Sequence, residues 1–251
     1  MHSPLFQLRT NFRVFALLVP VVICLNTAQN LTAQQLKPSD DLLALLPGDS
    51  EEKDADQWKS LFNGKTLEPW KITNFGGEGD VWIEENALYL ELGDDLTGIT
   101  WDSDFPFPRD NYEVKIRAKR VLGSDFFCGV TFPVGPDYCS WIAGGWGGTV
   151  VGLSSLDGKD ASDNVTTQYL NFKLEQWYDF RLRVTKEDIT TWIGGKQNLH
   201  VPRDKYQFTI RPEVSLSKPF GICSWQTTAA IQSIQIRMLS DSKDASEKEA
   251  E

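Results

Sequence analysis

Asp125, Asp137 and Glu213 are the carboxylates set where they could do chemistry, and Trp141, Trp146 and Trp225 are the rings that could serve beside them. Asp125 enters the apolar run FFCGVTF, Asp137 precedes the segment YCSWIAGGWGG, and Glu213 follows Arg211 and Pro212. A carboxylate positioned against a reacting group works as general base or acid. Plainer roles compete: Asp125 as the cap of a turn, Glu213 as a surface ion pair with Arg211. Tryptophan offers a large flat apolar face with one N–H donor. The stretch Tyr138–Asp163 sets Trp141 and Trp146 among Gly144, Gly145, Gly147, Gly148 and Gly152. Glycine weakens a strand interior unless a ligand, a bulge or another backbone comes close. The stretch therefore reads either as backbone cleared around an aromatic platform for a sugar ring or as a glycine-bulged core strand. Asp157, Asp160 and Asp163 follow in a loop that reads as solvated. Calcium ligation is their alternative, on a spacing unlike an EF-hand.

Other chemistries find no support. The chain contains no GxSxG, HExxH or GxxxxGK, which leaves serine hydrolase, zincin and phosphate-cradling roles without a motif. His200 is the single histidine outside the first residues and no CxxC occurs, so zinc is not expected. Cys128, Cys139 and Cys223 sit in apolar or small-residue strands. They read as three buried thiols or as one disulfide plus a thiol. Trp58, Trp70, Trp82, Trp101, Trp177 and Trp192 fall in regular strands, where core packing is the default.

The elements that must position these residues are strands. In NYEVKIRAKR, Tyr112, Val114, Ile116 and Ala118 share one face, while Glu113, Lys115, Arg117 and Lys119 share the other. Tyr178, Phe180, Leu182 and Val184 repeat the alternation, as do Ile234, Ile236 and Met238. Glu85–Asn86, Val134–Asp137, Lys186–Glu187 and Gly194–Gly195 read as hairpin turns. With no long amphipathic helix, the fold class is all-β, an antiparallel two-sheet sandwich or barrel.

Residues 1–33 read as a signal peptide, with Arg9 and Arg13 ahead of the twelve-residue apolar run Val14–Leu25. Residues 34–56 read as an acidic linker, 57–239 as the folded domain and 240–251 as a disordered tail. Loss of Arg9 and Arg13 with the signal would turn a net charge of −10 into −12. Such a chain is expected to be exported, to the periplasm or beyond, with no nucleic-acid partner and no membrane association after cleavage.

WKSLFNGKTLEPWK at Trp58–Lys71 resembles the opening of the 3-keto-disaccharide hydrolase domain family. VWIEENALYLEL is similar to the family's second motif, with Ala87 where a turn glycine is usual. EQWYDFRLRVTKEDITTWIGGK and GICSWQTTAAIQSIQIRML resemble its late strand pair and closing strands. The resemblance implies a concanavalin A-like jelly roll with carbohydrate as partner. It also implies cleavage of glycosides whose sugar carries a ketone at C3. A base removes the C2 proton acidified by that ketone, the C1 oxygen leaves by β-elimination, and water adds to the enone. Such a site needs a base, an acid for the leaving oxygen, and donors, a cation or a divalent metal for the enolate. The middle of the chain departs from the family: Ser124-Asp125 precedes the strand that relatives open with Asn-Ser-Gly-Ile, and no Glu-x-Gln follows. That departure favours the alternative, a non-catalytic carbohydrate-binding jelly roll.

Overall fold

Alternation decides the architecture, because each strand must bury one row of side chains and solvate the other. The computed structural model describes residues 57–240. The predicted signal peptide, the acidic linker and all but Ser240 of the predicted tail lie outside those residues.

The strands form two antiparallel sheets. The first runs, in spatial order, β13 (Lys196–Pro202), β12 (Asp188–Ile193), β11 (Tyr178–Val184), β6 (Tyr112–Gly123), β15 (Thr227–Met238), β4 (Ala87–Leu90) and β3 (Val81–Glu84). The short β1 (Lys59–Ser60) adds to β15. The second runs β10 (Gln168–Tyr169), β9 (Val150–Ser154), β8 (Asp137–Gly145), β7 (Cys128–Val134), β14 (Gly221–Trp225), β5 (Leu96–Trp101) and β2 (Trp70–Ile72). β15 enters between β6 and β4, and β14 between β7 and β5, so the last two strands lock earlier ones together in both sheets. This is a jelly-roll sandwich, as the sequence predicts. Glu85 and Asn86 turn β3 into β4 at φ 50° and 62°, the paired left-handed geometry of a two-residue hairpin.

The core lies between the sheets. Tyr112, Val114, Ile116 and Ala118 of β6 are all buried, as are Phe180, Leu182 and Val184 of β11. Trp141 of β8 meets Phe180 edge-on at 5.7 Å, and Phe127 meets the same ring at 5.9 Å, so aromatic contacts join the two sheets. Each ring of that size stabilises by about 2–3 kcal/mol when fully buried. Cys128, Cys139 and Cys223 are buried free thiols, which selects the first of the two cysteine readings.

The tryptophans divide differently from the default. Trp70 and Trp101 are buried and pack on each other at 5.3 Å. Trp58, Trp82, Trp177 and Trp192 instead take the outer face of the first sheet, in phase with the charged residues of β6 and β11. Trp82 stacks on Tyr89 at 5.1 Å, and the other three are half-buried under lysine and arginine stems rather than in the core.

Candidate functional site

The second sheet carries a separate apolar cluster on its outer face, formed by Leu96, Phe126, Ile142, Val150, Val214 and Cys223 with the edge of Trp225. A cleft of about 240 Å³ opens beside it. Strand alternation makes its floor. Trp141 and Leu153 point into the core, so Ser140 and Ile142 of β8 and Ser154 of β9 point out into the cleft. Ser140 Oγ shares a hydrogen bond of 2.9 Å with Thr131 Oγ1. Ser154 is 1% exposed and its hydroxyl has no partner among the described residues. An unpaired buried hydroxyl costs about 1–3 kcal/mol, and Ser154 lies in the floor of the cleft.

One wall is the turn Gly144–Gly148 between β8 and β9. Asp125 holds it from outside the turn: its carboxylate accepts from Phe126 N at 2.7 Å, Trp146 N at 3.2 Å and Gly147 N at 3.2 Å. Arg120 holds it from within. Its buried guanidinium donates to the carbonyls of Gly144 and Gly148, each at 3.0 Å, and lies 5.2 Å from the Phe127 ring. Burial lowers the Arg120 pKa from the usual arginine value, with Asp125 opposing that shift. A Cβ on Gly144 would sit 2.4 Å from Arg120 Nη2, while one on Gly147 would meet nothing. Gly144 thus clears space for a guanidinium rather than for a ligand. The turn places Trp146, at φ 48° and 42% exposed, at the rim of the cleft.

The opposite wall is residues 207–217. Ser155 and Thr209 exchange backbone hydrogen bonds, and Asp157 N donates to Gln207 O, which ties this segment to the end of β9. Pro212 then opens a 3-10 turn, Pro212–Ser217, pinned by buried Val214 and by Thr100 Oγ1 donating to Leu216 O at 3.0 Å. Arg211 donates to Asp160 Oδ2 at 3.0 Å and to Glu213 Oε1 at 2.7 Å. These bonds use two of the five guanidinium N–H groups. The hydrogen bond from Arg211, helped by the backbone N–H of Glu213, holds the Glu213 carboxyl below its ordinary range, and the same bond raises Arg211.

The cleft therefore brings together Asp125, Glu213, Trp146 and Trp225 of the sequence-predicted residues. Two fall elsewhere. Trp141 is 2% exposed against Phe180, because the phase of β8 turns it inward, so no ligand reaches it. Asp137 is exposed at the hairpin that opens β8 and is not part of the cleft wall. Sequence reasoning did not assign Arg211, Ser154 or Arg120 to the site. For Arg120 a signal existed: it continues the apolar phase Tyr112-Val114-Ile116-Ala118, where a charge demands a buried partner. His200 bonds to Thr190 on the first sheet, away from the cleft. Among the described residues no three His, Cys, Asp or Glu side chains converge. The cleft carboxylates, Asp125 and Glu213, are held by N–H donors and do not fit a divalent ion.

The model of the 3-keto-alpha-glucoside-1,2-lyase-like domain family matches residues 57–237. Among solved structures, the Crh5 transglycosylase in complex with NAG is 15% identical, with a TM-score of 0.53, over 74% of this chain and 86% of its own. A candidate glycosyl hydrolase from Parabacteroides distasonis is 14% identical, with a TM-score of 0.50, over 76% of this chain and 98% of its own. At these identities the likeness shows the fold alone. No curated protein matches the chain.

Proposed function

We propose, on the premise that this chain belongs to the 3-keto-alpha-glucoside-1,2-lyase-like domain family, that the cleft takes one sugar ring and cleaves 3-keto-glycosides. The observation that carries the reading is the convergence of the Arg211–Glu213 pair, the rings of Trp146 and Trp225, and the unpartnered Ser154 hydroxyl. The cleft is smaller than the ~300–1,000 Å³ of sites that enclose drug-sized ligands, which suits a single ring with its aglycone outside. Glu213 takes the proton from C2 of the 3-keto sugar. Arg211, with N–H groups to spare, stabilises the enolate oxygen as charge builds there. The enolate electron pair then expels the C1 oxygen, which takes a proton from Glu213 or water, and water adds to the enone. Asp125 acts as a positioning residue that holds Trp146. Export to the periplasm or beyond, with residues 57–239 as the working domain, completes the proposal.

One observation favours a binding module instead: both cleft carboxylates are already engaged, Asp125 by three backbone N–H groups and Glu213 by Arg211. Incubation with 3-keto-glucosides separates the two readings. Enone or free ketosugar should form with the native protein and fall by about a hundredfold or more in E213Q, as for loss of a general base. Retained sugar binding with no turnover by the native protein would leave only the binding module.

A further inference from the structure

The outer face of the eight-stranded sheet gathers positive charge on a chain whose net charge is −10. Lys115, Arg117 and Lys119 of β6, Arg181 and Arg183 of β11 and Arg237 of β15 all point to this side, opposite the core rows. Most have carboxylate partners: Arg117 with Asp179, Lys119 with Glu175, Arg183 with Asp188 and Arg237 with Glu113. The centre of the face does not. Lys115 and Arg181 are directly opposed across β6 and β11, and neither reaches a carboxylate among the described residues. Like charges opposed in this way destabilise a sheet, and here each lies instead over a tryptophan. Lys115 Nζ is 3.9 Å from the Trp58 ring centre and Arg181 Cζ 3.6 Å from that of Trp192. A groove of about 380 Å³ runs past both, lined also by the Arg117–Asp179 pair and, on its far side, by the neutral side chains of Ser233 and Gln235.

We propose that this face binds an acidic polysaccharide, with Lys115 and Arg181 each meeting a carboxylate or sulfate along the bound chain. Anions seated there neutralise the opposed cations, and the tryptophans fix both in place beforehand, so less side-chain freedom is lost on binding. Cations recur every second residue along β6, roughly 7 Å apart, a repeat that suits an extended chain bearing regularly spaced charges. Trp58 and Trp192 already lie beneath cations, which removes those ring faces as platforms for nucleic-acid bases.

The test is titration of the full chain with polygalacturonate or dextran sulfate, with neutral dextran as control, across a series of salt concentrations. Saturable binding of the polyanion that weakens with salt is expected, with none of the neutral polymer. K115Q/R181Q should lower affinity by about tenfold or more and flatten the salt dependence. R181K should fall between that variant and the native protein, because it keeps the charge and loses the fork. E213Q should bind the polyanion as the native protein does. Thermal melts confirm that each variant is folded. Unchanged affinity in folded K115Q/R181Q, no binding of either polyanion, tighter binding of single-stranded DNA, or loss of binding in E213Q would each overturn the proposal. Binding that emerges only when Asp49, Glu51, Glu52 and Asp54 are neutralised would overturn it too, by making the chain's own acidic segment the occupant.

Discussion

Asp125→Asn separates a catalytic role for this carboxylate from a positioning one. The substitution keeps the shape and removes the charge, and it leaves an amide donor facing one of the N–H groups of Phe126, Trp146 or Gly147. One hydrogen bond to a charged acceptor is worth about 1.5–3 kcal/mol. The clasp also restrains Trp146 at φ 48°, a left-handed conformation that costs a non-glycine residue about 1–2 kcal/mol. Loss of the clasp lets the turn relax, so opening of Gly144–Thr149 should become easier by about 2–3 kcal/mol, or roughly 30- to 150-fold in amide exchange. Hydrogen exchange read by mass spectrometry on peptides spanning that turn measures the effect. Turnover of a 3-keto-glucoside should lose affinity through displaced Trp146 while kcat is largely kept. Exchange within about threefold of the native rate would refute the clasp. Abolished turnover with the turn still protected would make Asp125 the base.

Gly144→Ala and Gly147→Ala share a positive φ and differ in what a Cβ meets. Both incur the left-handed strain of about 1–2 kcal/mol. Only G144A also displaces the Arg120 guanidinium, so denaturant melts should show about 2 kcal/mol more loss for G144A; equal losses would mean that Arg120 is not the constraint. Glu213 has a lowered pKa when folded, so its pair with Arg211 contributes fully above the unfolded value near 4.5, and that contribution fades as pH falls through the lower folded value. The difference in Tm between the native protein and E213Q should therefore be constant above pH 6 and close below pH 4; a difference that grew on acidification would reverse the sign. Burial pushes the thiols of Cys139 and Cys223 up to about 12 and that of Cys128 higher. None of the three should react with a thiol reagent at pH 8 until denaturant is added, and peptide mapping of early labelling checks this.

Much of the fold was legible in the chain because a half-buried strand writes its two faces into alternate residues. The phase read in NYEVKIRAKR is the phase found in β6, down to Ala118 at 0% exposure. Glu85–Asn86 and Gly194–Gly195 turn where their types imply. The same logic applies to Arg120: a guanidinium in the apolar phase announces a buried network, here the carbonyls of Gly144 and Gly148. The tryptophans show the limit of composition. Trp192 and Trp141 are the same residue type in similar strands. One lies under Arg181 on the outer face and the other against Phe180 in the core, because their phases against the sheet differ.

The sequence by itself determined an antiparallel two-sheet fold, through local period and turn chemistry, and the family with its jelly roll, through motif. Only the tertiary structure decided what the glycine-tryptophan stretch meets. It brought Asp125 to Trp146, 21 residues away, and Arg211 to Asp160, 51 residues away. It also turned Ser154 outward beneath them. A side chain's neighbours across a sheet are set by long-range register, and register depends on the packing of the whole sandwich. Local sequence could name the residues able to do chemistry, while the closure of two sheets chose which of them meet.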